Sequence, residues 1–158
     1  MSKNVLTTYL NDHLAGSVAA LELLDLLLRT RPAGENEPYS RLGLEIEEDQ
    51  RVLRELIERL GGKESRVRKA AAWLTGKLGR AKFQFDDEGH GELRTIEALE
   101  ALGLGIQGKL ALWRTLEAVA ASTPELRAWD FPRLQERAMD QFARVDRLRL
   151  QAARAAFG

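Results

Sequence analysis

Leu93 to Ala121, LRTIEALEALGLGIQGKLALWRTLEAVAA, decides how the rest of the chain must be arranged. The stretch has no proline, and its apolar residues fall at Ile96, Leu99, Gly103, Ile106, Leu110 and Trp113. Steps of three and four put these residues on one face of an α-helix, whereas a strand would alternate. At 1.5 Å per residue such a helix is about 43 Å long. It cannot bury its apolar stripe alone, so other helices must flank it.

Working outward, three more helical runs appear. One spans about Asn4 to Arg29, with Leu6, Leu10, Leu14, Ser17, Leu21, Leu24 and Leu28 on one face and Pro32 and Gly34 behind it. A second cluster on this run (Val5, Tyr9, Leu23, Leu27) points elsewhere, so the helix is apolar on two sides. The next run spans about Pro38 to Leu60, with Leu42, Ile46, Leu53, Ile57 and Leu60 inward and Gly61-Gly62 as its stop. The last runs from about Phe131 to Ala156, with Leu134, Ala138, Phe142, Val145, Leu148 and Ala152 inward. Asp130 is placed as its N-cap, and Ser122 and Glu125 have capping-box spacing before it. Short links make the first two helices, and the last two, antiparallel neighbours.

Between Gly62 and Glu92 the pattern changes. A short helix is expected from Ser65 to Leu78, in a stretch rich in Lys and Arg, followed by the polar turn Asp86-Asp87-Glu88-Gly89. A connection this long suits a crossover that travels the length of a bundle. Trp73, Phe83 and Phe85 could stack bases, but a solvated face of a surface helix explains the same charge run. Nucleic acid is not expected. His90 lies beside Asp86, Asp87, Glu88 and Glu92, with no recognised metal-loop spacing.

Four long helices with short first and last links and a long middle crossover resemble the ferritin-like bundles. The resemblance implies an all-α fold, a ferritin-like four-helix bundle with a crossover that contains a short extra helix. In that family each di-metal site takes a glutamate from two helices and a Glu-x-x-His pair from the other two. This chain has two histidines, His13 and His90, and neither follows a glutamate by three residues. Glu22 falls roughly 130° from the centre of its helix's face. The fold carries over; the family's oxidase and iron-storage chemistry does not.

The helical wheels place a few polar residues inward: His13, Asp49 and Gln141, with Gln107 at the edge of its helix's face. Aligned by helix midpoints, the four form one inter-helix polar layer, a candidate ligand site. In one reading His13 hydrogen-bonds Asp49 and the glutamines satisfy the remaining groups, a buried layer that fixes helix register. In the other the layer binds a metal or small ligand, with Glu45 or Glu100 swinging in. One histidine and one carboxylate are too few for a closed first-row metal site.

Gly103-Leu-Gly-Ile-Gln-Gly108 spells the dinucleotide fingerprint G-x-G-x-x-G. That motif works where a strand ends and a helix begins, and here helical periodicity runs straight through it. The glycines read instead as a place where another helix comes close, at roughly 1 kcal/mol of helix propensity each.

Composition bounds the rest. The 158 residues carry 24 basic and 24 acidic side chains, so no global field favours nucleic acid or an anionic membrane. Cysteine is absent, which excludes disulfides and thiolate chemistry. Leu14 to Leu28 is apolar but carries Glu22 and Asp25, unlike a signal peptide or a membrane span. A cytoplasmic protein with no cofactor is expected. Its expected function is binding or interaction without a working di-metal centre. The alternative is a metal-dependent redox or hydrolytic enzyme with an atypical site around His13 and Asp49. Apolar residues on the second side of the first helix, with Leu112, Trp113 and Leu116, exceed what one bundle is expected to bury, which predicts a homodimer.

Overall fold

A computed structural model describes residues 3–63 and 91–158. Four long helices account for most of them: α1 (Lys3–Arg29), α2 (Glu37–Arg59), α3 (Gly91–Ala120) and α4 (Phe131–Phe157). Single 3-10 turns, Ala33–Glu35 and Pro124–Leu126, lie in the two short links, and no strand occurs among the described residues. Each helix begins and ends within two residues of where periodicity and stop signals put it. The expected crossover helix, its basic run, the turn at Asp86 to Gly89 and His90 lie outside the described residues.

The ends follow from local chemistry. Asp130 caps α4, its Oδ1 accepting from the Arg133 N–H at 3.1 Å, with Pro132 in the first turn, where no intrahelical N–H is needed. Gly61, at φ +74°, takes the left-handed conformation that ends α2. Gly62 has no room for a side chain, because a Cβ there would collide with the Thr7 methyl of α1. The capping box expected at Ser122 and Glu125 does not form: Ser122 Oγ donates back to the Val119 carbonyl at 3.0 Å. Glu125 instead receives Lys3 Nζ at 2.7 Å. A lone 3-10 turn follows, with too few free N–H groups to sustain a box.

Contacts at the two ends fix the direction of every helix. Asn11 Nδ2 donates to the Lys63 carbonyl at 3.4 Å, which sets the start of α1 beside the end of α2. The Arg59 guanidinium lies 4.7 Å from the Trp129 ring centroid, so the α3–α4 link is at the same end. At the opposite end Arg31, Tyr39, Glu92 and Ala152 line one cavity. Helices α1 and α4 therefore run one way, and α2 and α3 the other. The ends joined by the chain between 63 and 91 are at opposite ends of the bundle.

The core is continuous through all four helices. Leu10, Leu14, Leu24 and Leu27 of α1, Leu42, Leu53 and Ile57 of α2, and Leu99, Leu102 and Trp113 of α3 are at most 2% exposed. Each such side chain contributes about 1.5–3 kcal/mol relative to an exposed one. Helices α3 and α4 pack most closely, α1 lies next on α2, and α1 touches α3 less. The close α3–α4 approach runs over Gly103, where an added Cβ would meet the Phe142 ring at 3.5 Å.

The apolar surplus expected on the first and third helices is smaller than their spacing suggests. Leu23 and Leu27 of α1, and Leu112, Trp113 and Leu116 of α3, are all buried within the single chain. Of the second cluster on α1, Val5 stays 67% exposed and Tyr9 half-buried. The physical reason for α3 is that it is buried over a wider arc than a single stripe. With Leu102, Leu112 and Leu116 included, the centre of its buried face turns by about 30° from the one the first six residues define.

Candidate functional site

At mid-height α2, α3 and α4 meet through charged side chains. Lys109 projects from α3 and is nearly covered, its side chain 12% exposed. Its ammonium donates to Asp49 Oδ2 of α2 at 2.5 Å and to Gln141 Oε1 of α4. Asp49, with 2% of its side chain exposed, accepts on Oδ1 from Arg137 Nη2 of α4. Arg137 Nη1 also reaches Glu48 Oε2 at 2.9 Å. One turn along, Gln141 Nε2 donates to Glu45 Oε2 at 3.1 Å. Arg144 Nη2 pairs with the same oxygen, and Arg144 Nε with Asp140 at 2.8 Å.

The residues lie there for a sequence reason. Glu45 and Asp49 are four apart on α2, and Arg137, Gln141 and Arg144 are spaced four and three on α4, so each set forms a stripe. Long arginine side chains span a seam where the α2 and α4 backbones do not come close. The charges close on themselves: Asp49 and Glu48 face Lys109 and Arg137, while Glu45 and Asp140 face Arg144 and Arg41. Burial pushes the Glu45 carboxyl up, but hydrogen bonds from Arg144 and Gln141 outweigh it and hold the group below the ordinary glutamate value. Burial draws the Lys109 ammonium down, and the Asp49 carboxylate offsets part of that.

On the other flank of Lys109 lies a cavity of about 410 Å³ between α1, α2 and α3. Lys109 and Asp49 line it with His13, Tyr9 and Asp12, and Ala20, Ile46, Leu53, Ile106 and Leu112 supply apolar wall. Gly16, Gly105 and Gly108 line it as well, and a Cβ built on any of them meets no described atom within 4 Å. None of the three has a positive φ. Neither the backbone nor a neighbouring described helix requires glycine at these positions. The G-x-G-x-x-G run therefore divides: Gly103 admits α4, and Gly105 and Gly108 face the cavity.

The structure separates the four residues of the expected layer. Asp49 and Gln141 are buried and share Lys109 between them. His13 is half-buried, does not bond Asp49, and sets its ring edge-on to Tyr9 at 4.7 Å. Burial pulls its imidazole below the ordinary value, with Asp12 opposing. The pairing with Asp49 fails because Lys109 and Arg137 already fill that carboxylate. Gln107 is exposed, and Lys109 is the polar residue α3 turns inward. Measured from the wider buried arc of α3, Lys109 lies about 60° from the centre and Gln107 about 100°. Glu22 is exposed. Glu100 is 54% exposed and faces Arg149 at 3.8 Å instead of turning inward.

Among the described residues, no three His, Asp or Glu side chains converge as a metal site. No described helix is long and apolar enough to cross a membrane. Comparison with protein-family models, with curated proteins and with solved structures gives no match.

Proposed function

We infer that this chain is a ferritin-like four-helix bundle that works as a binding protein, with its own cations where that family keeps metals. The observation that carries this reading is Lys109. Its ammonium sits between Asp49 and Gln141 at bundle mid-height, where a di-metal protein would set a cation between the same helices. Arg137 and Arg144 neutralise the remaining inward carboxylates. Helix directions, with α1 and α4 opposed to α2 and α3, support the ferritin-like layout. The ion-pair layer fixes the register of α2, α3 and α4, and the adjacent cavity, with its glycine-lined wall, does the binding. A cytoplasmic location, and assembly as a homodimer through surface apolar residues such as Leu44 and Leu104, 64% and 75% exposed, belong to this reading.

The competing reading, a metal-dependent redox or hydrolytic enzyme around His13 and Asp49, draws on the fact that both residues line the cavity. Metal analysis of protein purified without a histidine tag separates the two. Iron, manganese or zinc near one per chain would favour the enzyme; amounts well below stoichiometric are expected. A thermal-shift screen of small fragments tests the binding role. Hits should raise the melting temperature of the native chain and leave that of Gly108→Leu unmoved.

A further inference from the structure

The cavity wall also states what chemistry it accepts; the argument rests on the binding reading above. An ammonium has three donors, and Asp49 and Gln141 take two of those on Lys109. The third has no acceptor among the described residues, and Lys109 lines the cavity. An occupant with an oxygen acceptor would complete it. A charged occupant would not fit as well. A carboxylate arriving at Lys109 would also meet Asp49, whose Oδ2 is 2.5 Å from Nζ. An ammonium would meet Lys109 itself. Burying either ion beside a pair that already cancels leaves a charge uncompensated.

His13 makes the same demand from another part of the wall. Its ring nitrogens have no hydrogen bond among the described residues, and burial favours the neutral ring, which offers one donor and one acceptor. Apart from Tyr9, Asp12 and Ser17 on the α1 side, the rest of the wall is glycine and aliphatic carbon. From Gly105 to Leu112 it runs roughly 10 Å along α3. Helix interiors that carry Gly16, Gly105 and Gly108 forgo helix propensity along one face, and that face is the cavity.

We propose that the cavity binds an uncharged amphiphile: an aliphatic chain ending in a hydroxyl or carbonyl oxygen that accepts the third Lys109 N–H. The test is a titration of the full isotope-labelled chain at pH 7.5, read on the amide resonances of Gly16, Gly105 and Gly108. The probes are hexan-1-ol, hexanoate, hexylammonium and 1-chlorohexane, which share one chain and differ at its end. Hexan-1-ol should bind at least tenfold more tightly than the other three. Gly108→Leu, and independently Gly105→Leu, should abolish binding while circular dichroism reports a folded chain. Lys109→Met paired with Asp49→Leu should bring hexan-1-ol down to the level of 1-chlorohexane. Hexanoate or hexylammonium binding as tightly as the alcohol, with binding still lost in the glycine variants, would overturn the ligand chemistry and leave the cavity as a binding site. No binding by any probe, or binding untouched by both glycine variants, would overturn the cavity's role itself.

Discussion

Helix α3 has two flanks that use the same residue type for opposite ends. Toward α4, Gly103 lets the Phe142 ring come within 3.5 Å of where a Cβ would stand, and the helices close on each other. Toward α1, Gly105 and Gly108 meet no described atom within 4 Å and line a cavity. One flank brings a ring into van der Waals contact; the other gives up helix propensity without a packing return from any described residue. A glycine run in a helix is thus not one signal. Its meaning depends on what lies opposite each position. Lys109 stands at the junction: it belongs to the ion-pair layer that holds α2 and α4 and also lines the cavity.

The sharpest break of this comparison is at the layer. Asp49→Ala removes the carboxylate from Lys109 and Arg137 together and should cost about 3–5 kcal/mol in a denaturant melt. Replacing Asp49, Lys109, Arg137 and Gln141 together with apolar residues of similar volume should cost much less or stabilise. If the quadruple variant loses as much as Asp49→Ala, the layer contributes more than register. His13→Ala should lose far less than Asp49→Ala, because His13 does not hold that carboxylate.

The two flanks of α3 separate next. Gly103→Leu overfills the α4 seam and should cost about 1–3 kcal/mol. Gly108→Ala should stabilise by roughly 1 kcal/mol, the helix propensity it restores. Equal effects at the two positions would erase the distinction between packed and open flanks. A smaller effect is expected at the start of α4, where Asp130→Ala removes the cap on the Arg133 N–H and should cost about 1 kcal/mol.

The smallest effect is a pH slope. Burial holds the folded His13 imidazole below its unfolded value of about 6.5. Between those two values the unfolded chain takes up a proton that the folded chain refuses. This contribution to stability is therefore present above about pH 6.5 and is lost as pH falls toward the folded value. Glu45 acts in the same sense at lower pH: its folded carboxyl lies below the ordinary glutamate value, so its contribution fades as pH falls through that value. Urea melts of the native chain and His13→Phe from pH 7.5 to 5.5 should show a shallower slope in the variant.

Much of the fold was legible because helices announce themselves locally. Periodicity, Asp130 before Pro132 and the Gly61-Gly62 stop set the helix bounds, and Leu42, Ile46, Leu53 and Ile57 are buried as their spacing requires. The candidate site was legible only in part. Asp49 and Gln141 were readable because α2 and α4 each have one narrow apolar stripe and a polar residue inside it. Gln107 and the His13–Asp49 pair misled because α3 is buried on a wide arc, which a wheel centred on its first stripe does not show. Leu102, Leu112 and Leu116 were the signal that turns the face toward Lys109, once they are assigned to this chain's own core and not to a partner.

The sequence by itself determined four helices, their ends, and the residues each must turn from water, since all of these follow from side-chain spacing along one rigid rod. Which charge meets which was decided only in the tertiary structure. Arg137, Arg144 and Lys109 reach across seams set by the distances between helices, and nothing local to any one helix encodes those distances. The same holds for the glycines: a missing Cβ is visible in the sequence, but whether a phenyl ring or a cavity faces it depends on how the neighbouring rods are placed.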